Sequence, residues 1–373
     1  MTWFGYFLVG LQIYFFNVQG NVIPFIQSEF GLNYRIVSLH SVALALGLIV
    51  TGLVGRRVTR KLGRRRSMWT GAGGIAIGAF LLCLSPGPWT SIPSCLLIGF
   101  SGGMIAAVVP AMFADIHGER RGQAYAEQSI VAYGFGIVAP IATGAFVAIG
   151  VGWRGSVILG GLLGIALIVI FRNTPVPPGE PPPTVARAPL PAAYWAYWSV
   201  MAFTCALEFS VLIWGPAFLE RVIGFSPAGA ATGVAAFPVG VLLGRILIRA
   251  LVRTIDPRTM LAVAYGIGVV GFLLYWAVGN EWSAILGILL LGLAVAPQYP
   301  MTMALAMGAS RGATDTAAIR MTLAFGTAML VAPAALGALA DFVGLSLAHL
   351  TLPTLLAAAV LSFVVAGILE RRA

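Results

Sequence analysis

One carboxylate, Glu208, sits inside the apolar run Cys205-Ala-Leu-Glu-Phe-Ser-Val-Leu-Ile-Trp214-Gly-Pro216. An ionisable group in an apolar helix is costly, so it is read first as functional and its partner is sought. A carboxyl that takes up and releases a proton there would couple another event to a proton gradient. The competing reading is a protonated carboxyl hydrogen-bonded to a neighbouring helix and holding packing alone. Trp214 lies within two turns of it. Near the N-terminus, Asn17, Gln19 and Asn21 follow Tyr14. Asn17 and Asn21 are four apart and share a helix face. They offer donors and acceptors to a hydroxyl-bearing or zwitterionic ligand, or else amide bonds between helices. His40 suits a proton relay or a packing histidine equally well. Pro297-Gln298-Tyr299-Pro300 interrupts an otherwise helical pattern. A broken helix exposes backbone groups to a cavity, which makes Gln298 and Tyr299 candidate ligand contacts. The cluster Tyr194, Trp195, Tyr197 and Trp198 reads as an interfacial aromatic belt rather than a binding box.

The elements that must position these residues follow from composition. The chain has 373 residues, 59% of them hydrophobic and 9% charged, with a mean hydropathy of +0.95. A soluble domain is about a quarter charged, so this composition excludes one. Cys83, Cys95 and Cys205 are too few and too scattered for a disulfide framework or a thiolate metal site. The 46 glycines have no G-X-Y period and suit closely packed helices in lipid. The pattern predicts an all-α polytopic membrane protein with twelve transmembrane helices. They run roughly over 3–25, 36–55, 68–85, 91–114, 124–149, 155–171, 192–219, 228–251, 260–278, 283–307, 317–339 and 346–369. No basic segment with a small-residue cleavage site precedes the first span, so no signal peptide is expected. Of the 22 basic residues, all but Arg35, Arg154 and Arg221 fall in the even-numbered loops and at the C-terminus. Both termini are therefore expected in the cytoplasm, at a cell (inner) membrane. That asymmetry also accounts for the net charge of +10, and no nucleic-acid partner is expected.

The chain repeats itself. A shift of 193 residues aligns Gly31, Gly47, Gly78 and Gly99 with Gly224, Gly240, Gly271 and Gly292. It also aligns Trp89 with Trp282, Pro140 with Pro333, Gly144 with Gly337, and Arg56, Arg60 and Arg65 with Arg249, Arg253 and Arg258. A shift of six spans keeps orientation, so the halves are parallel six-helix repeats. The expected domains are 1–172 and 191–373, joined by a cytoplasmic proline-rich linker over 173–190 that is too rich in Pro to be helical.

The loop Gly55-Arg-Arg-Val-Thr-Arg-Lys-Leu-Gly63-Arg-Arg-Arg resembles the signature of the major facilitator superfamily between spans 2 and 3. The segment from Gly244 to Arg258 resembles its weaker echo between spans 8 and 9, and Gly152-Trp153-Arg154 before span 6 is another habit of that family. The resemblance covers the whole chain. It departs at Arg60, where an acidic residue is usual, and at Arg56, where a glycine is usual. The body of span 4 lacks the buried arginine of proton-driven drug antiporters. Their span 5 motif survives only as Gly136-Ile-Val-Ala-Pro140-Ile-Ala-Thr-Gly144. Glu208-x5-Trp214-x-Pro216-x2-Leu219, with Gly240-x3-Gly244-Arg245, resembles the fucose-permease-like sugar and metabolite branch. Sugar–proton symporters of that branch carry acids in spans 1 and 4, where this chain has amides and no charge.

The resemblance implies a major facilitator fold whose spans 1, 4, 7 and 10 line a central cavity, working by alternating access. It implies secondary, proton-coupled transport of a small polar solute, a sugar or other metabolite, with no cofactor beyond the proton gradient. The alternative is proton-coupled efflux of amphipathic or cationic drugs, for which Glu208 beside Trp214 is also suited. The repeat places Glu127 of span 5 opposite Arg320 of span 11. Glu127 is then expected to pair with Arg245 or Arg249 as a cytoplasmic gate, with Arg60 nearby, or else to snorkel to water. The chain is expected to act as a monomer in the bilayer on a small-molecule substrate. An enzyme is not expected: no His-Glu-x-x-His, Gly-x-Ser-x-Gly or metal-spaced cluster occurs, and His40, His117 and His349 are far apart. A substrate-sensing receptor of the same fold would be expected to add a cytoplasmic tail or a long central loop.

Overall fold

In a computed structural model, which describes residues 1–118, 121–176, 189–252 and 254–372, every regular element is helical. The first six are α1 (Thr2–Glu29), α2 (Tyr34–Leu62), α3 (Arg64–Cys83), α4 (Pro88–His117), α5 (Arg121–Ala148) and α6 (Arg154–Phe171). After them come α7 (Ala192–Phe218) with a π turn over Leu219–Ile223, α8 (Pro227–Gly233), α9 (Ala236–Leu251) and α10 (Pro257–Trp276). The last are α11 (Glu281–Val295), α12 (Gln298–Ala309), α13 (Thr314–Val343), α14 (Leu345–Ala348) and α15 (Thr351–Arg371). Among the described residues, ten helical stretches are long and apolar enough to cross a membrane, against the twelve spans expected. The two outside that set are α1 and α3. The first carries Gln12, Asn17, Gln19, Asn21 and Gln27, and the second opens on three arginines.

Local signals set the helix starts. Asn33 caps α2 by accepting from the Ile36 amide, and Ser226 caps α8 by accepting from Gly229. These caps are 193 residues apart, as are the left-handed turns at Gly31 and Gly224 (φ 61° and 96°). Asp256 and Asn280 cap α10 and α11. The helix breaks follow from proline. Pro238 lacks the N–H that would bond Val234, and the chain breaks between α8 and α9 there. Pro300 likewise leaves the Ala296 carbonyl without its helical donor, separating α11 from α12. The positions 193 residues earlier are Ala45 and Ala107, and α2 and α4 run through them unbroken.

The chain forms two compact units, Met1–Pro182 with Ser226–Ala235, and Pro183–Phe225 with Ala236–Ala373. In this division α8 packs on α5 of the first unit. There a Cβ on Gly144 would meet the Thr232 hydroxyl at 1.9 Å. The expected linker lies largely outside the described residues, as do Arg120, Arg187 and Arg253.

In the first unit α4 packs on α2 and α3, α1 on α5, and α3 on α6. In the second, α7 packs on α13 and α15, and α11 on α9 and α10. Both units are closed by backbone approaches that only glycine permits. A Cβ on Gly47 would lie 2.3 Å from the Leu96 carbonyl, and one on Gly99 would lie 2.0 Å from that of Leu44. In the second unit the same contacts join Gly240 to Leu289 (2.1 Å) and Gly292 to Phe237 (2.1 Å). Each partner again stands 193 residues on.

A polar clasp ties α1, α3 and α6 at one end of the first unit. Arg154 donates to Glu29 through both Nη1 (2.8 Å) and Nη2 (2.6 Å), and through Nε to the Cys83 carbonyl (3.0 Å). Trp153 donates to the same carboxylate at 3.0 Å and stacks under the guanidinium. The adjacent guanidinium and indole hold the Glu29 carboxyl below the usual carboxylate range. Gly152-Trp153-Arg154 is thus a structural motif. At the other end, Asp115 of α4 meets Arg64 at 2.5 Å and Arg65 donates to the Arg172 carbonyl. The carboxylate missing at Arg60, which is exposed, is supplied to this loop by Asp115.

Candidate functional site

Glu208 lies near the middle of α7, partly buried in the second unit. The charge of Arg245 on α9 acts on its carboxyl. Arg245 also acts on Tyr299, in the first turn of α12, and Tyr299 is within reach of Cys205, one turn before Glu208 on α7. Three elements of one unit therefore set an acid, a guanidinium and a phenol within electrostatic range. The Pro297–Pro300 break is what places Tyr299 there, because α12 starts afresh at Gln298. Tyr299 is 43% exposed, so its ring is open to contact. Gln298 beside it is buried, and its Oε1 has no hydrogen-bond partner among the described residues.

Trp214 is wholly enclosed, and its Nε1 donates to the Pro333 carbonyl at 2.9 Å. The indole is committed to the contact of α7 with α13. The aromatic group expected at an interface is also divided by the fold. Tyr194 and Tyr197 are buried, with Tyr194 donating to the Ala317 carbonyl at 2.7 Å. Trp195 is more exposed and lies under Arg320, whose Cζ is 5.6 Å from the ring, while Trp198 donates to the Arg320 carbonyl at 2.9 Å. Tyr194 and Trp198 thus fasten α7 to α13.

In the first unit, the Asn17 amide donates to the Ile13 carbonyl (3.0 Å) and the Asn21 amide to that of Asn17 (2.8 Å). These bonds within α1 use the donors and leave acceptor capacity. Asn21 Oδ1 and Gln19 Nε2 are buried without a partner among the described residues. Gly136 of α5 comes close to Asn17: a Cβ there would lie 3.2 Å from its Nδ2. His40 is fully buried, with Nδ1 at 2.9 Å from the Val37 carbonyl and Nε2 at 2.8 Å from Ser91 Oγ. Both ring nitrogens are occupied, as in a packing histidine.

Glu127 has partners within its own unit, accepting from Tyr6 (2.8 Å) and Gln123 (2.8 Å), with His117 close enough to act on its charge. Arg249, one turn beyond Arg245 on α9, is exposed. Arg245 is a gate candidate in the sequence, and in the fold its charge also acts on Glu208. The spacing of Arg245 four residues before Arg249 signals their shared face, but nothing in the sequence pairs that face with α7. Tyr6 and Asp115 were also missed, because their partners lie on distant helices, and so was Gln123, whose partner Glu127 is one turn on in α5. Among the described residues, no group of three His, Cys, Asp or Glu is placed to hold a metal ion.

The family model described as Major Facilitator Superfamily matches residues 2–328. An uncharacterized MFS-type transporter of Yersinia pestis is 22% identical over 360 residues, covering 93% of this chain and 90% of that protein. Among solved structures, a D-xylose–proton symporter superposes with a TM-score of 0.80 at 15% identity, covering 98% of this chain and 96% of that one. A bacterial homologue of the human drug peptide transporters PepT1 and PepT2 reaches 0.77 at 14% identity, covering 99% and 98%. A bacterial homologue of the human lysosomal transporter Spinster, inward-facing and unoccupied, reaches 0.72 at 15% identity, covering 98% and 97%.

Proposed function

The chain belongs to the Major Facilitator Superfamily, a family of membrane transporters and not an enzyme class, and on that premise we propose that it is a proton-coupled secondary transporter of a small polar solute. It is a multi-pass membrane protein. The observation that carries the reading is the meeting of Glu208, Arg245 and Tyr299 within one unit. An acid held inside an apolar helix beside a guanidinium has two well-separated states. Ionised, it is stabilised by the neighbouring positive charge. Protonated, it gives up that pairing, and Arg245 and Tyr299 turn to the solute. Alternating access delivers this site to each side of the membrane in turn. Gln298 of the same unit supplies a further hydrogen bond to solute. The 193-residue repeat of caps and glycine contacts supports twelve spans in two parallel halves, and the basic loops support cytoplasmic termini in a bacterial inner membrane.

The relatives of the same fold give some direction. A sugar–proton symporter and a peptide-transporter homologue share this fold at low identity, and both kinds of solute are polar. Efflux of a cationic drug is less well supported, because Arg245 would repel a cation approaching Glu208. The test is solute-driven proton uptake by proteoliposomes, offered sugars, organic acids, amino acids and cationic drugs. Uptake with a polar solute, lost in Glu208→Gln, supports the reading. Uptake with cationic drugs alone overturns it.

A further inference from the structure

The short helix α8 follows α7 in the chain but packs with the first unit. Ser226–Ala235 group with Met1–Pro182, while Phe225 before them and Ala236 after them belong to the second unit. Among the described residues α8 packs chiefly on α5, and no helix of the second unit matches that contact. The approach is close. A Cβ on Gly144 would lie 1.9 Å from the Thr232 hydroxyl and 2.7 Å from the Ala228 carbonyl. Ala228 and Thr232 are four apart and share one face of α8. Ala230 and Ala231 are buried.

Both ends of α8 are breaks. Before it, α7 widens into the π turn Leu219–Ile223, whose Leu219 carbonyl accepts from both Gly224 and Phe225. Gly224 is left-handed at φ 96°, a conformation that glycine takes without strain. Ser226 then starts α8 afresh. After it, Ala235 donates to the Thr232 carbonyl at 2.9 Å, a three-residue closure, and Pro238 has no N–H to offer the Val234 carbonyl. The first repeat lacks this second break. Asn33 caps α2, which then runs from Tyr34 to Leu62 through Ala45, the counterpart of Pro238.

We infer that α8 is a strap that stays on α5 through the transport cycle, with the α8–α9 junction at Val234 and Ala235 as the hinge. The inference rests on the proposed alternating access. The asymmetry of the repeat gives the reason. If whole six-helix halves rocked, α8 would travel with α9, and a continuous helix like α2 would serve. A break on each side instead frees α8 from the rest of its own half. Hinges are element-terminal positions that absorb changes in φ and ψ, and the Val234–Ala235 turn, short of helical hydrogen bonds, is such a place. Parting α8 from α5 would instead open a close approach between small residues, the kind of contact that holds helices together in lipid. The junction is the softer of the two.

The test is double electron–electron resonance on the full-length protein in nanodiscs, with nitroxide labels in pairs and Cys83→Ala to remove the half-buried thiol. Trp89→Cys marks the first unit, Pro227→Cys the strap and Trp282→Cys the second unit, all at exposed positions. Distances are compared at pH 5.5 and pH 8, alone and with D-xylose, succinate, L-alanine or tetraphenylphosphonium. The distance from 89 to 282 is expected to shift by several ångström between conditions, while that from 89 to 227 holds. Pro238→Ala, which restores the N–H and joins α8 to α9, should at least halve the shift. Pro238→Gly keeps the junction pliable and should move as the wild type does. The inference is overturned if the distance from 89 to 227 shifts along with that from 89 to 282, because α8 then leaves α5 with its own half. It is equally overturned if Pro238→Ala moves as the wild type does. If Pro238→Ala fails to fold, the two wild-type distances decide by themselves. A distance from 89 to 282 that is unchanged under every condition would remove the proposed alternating access together with the hinge.

Discussion

At the scale of single residues, the sequence marks the acid but not its partner. Glu208 is legible because a carboxylate in an apolar run has few bland explanations, whereas Arg245 looks like one more basic residue near a loop. That Arg245 acts on Glu208 depends on the fold of the second unit, which no local pattern encodes. Trp214 shows the converse. Its nearness in sequence to Glu208 suggests a ligand contact, but the indole points to the Pro333 carbonyl on α13. Replacing Trp214 by Phe removes that donor, with a cost of about 1 kcal/mol seen as a lowered Tm, and leaves solute affinity within twofold. An affinity loss without a Tm change would return Trp214 to the site. Glu29 gives a pH dependence. Its carboxyl is held below the usual range by Arg154, so its contribution is present above about pH 4.3 and is lost as pH falls through its lower folded value. The pair is about a third exposed, which limits the effect to roughly 1 kcal/mol or less. Unfolding followed from pH 6 to pH 3 should show a steeper loss for the wild type than for Glu29→Gln, and parallel curves would contradict the clasp.

At the scale of elements, the internal repeat was legible because it fixes things that packing needs. Glycines at the same offset admit the same backbone approaches, and capping residues start the same helices. Gly292→Ala places a Cβ 2.1 Å from the Phe237 carbonyl and should cost about 1–3 kcal/mol. Gly52→Ala, where nothing lies within 4 Å, should be neutral or stabilise by up to about 1 kcal/mol, a contrast in sign that Tm values would check. Less legible were the places where the second half departs from the first. Pro238 and Pro300 replace alanines, break two helices, and put α8 on the first unit and Tyr299 at the acid. The Pro300 break was foreseen from the proline pair; that at Pro238 was not. Pro300→Ala should restore a continuous α11–α12, raising thermal stability while lowering transport at least tenfold by carrying Tyr299 away from Arg245. Unchanged transport in a more stable variant would show that the break has no part in the site.

At the scale of the whole molecule, composition alone settled a helical membrane protein, and the loop motifs pointed to the family that the comparison confirms. The count of spans was less exact, because amides in α1 and arginines in α3 make two helices too polar to be recognised by apolarity alone. Two compact units are each closed by their own glycine contacts. The most direct measurement is proton uptake into proteoliposomes driven by the best solute of a polar panel, comparing wild type with Glu208→Gln and Arg245→Gln. Solute-driven proton uptake in the wild type alone, with solute binding retained in Glu208→Gln, is the predicted result. Equal proton uptake in the wild type and Glu208→Gln would contradict the account, because the proton would then travel by a route that does not include the acid of α7.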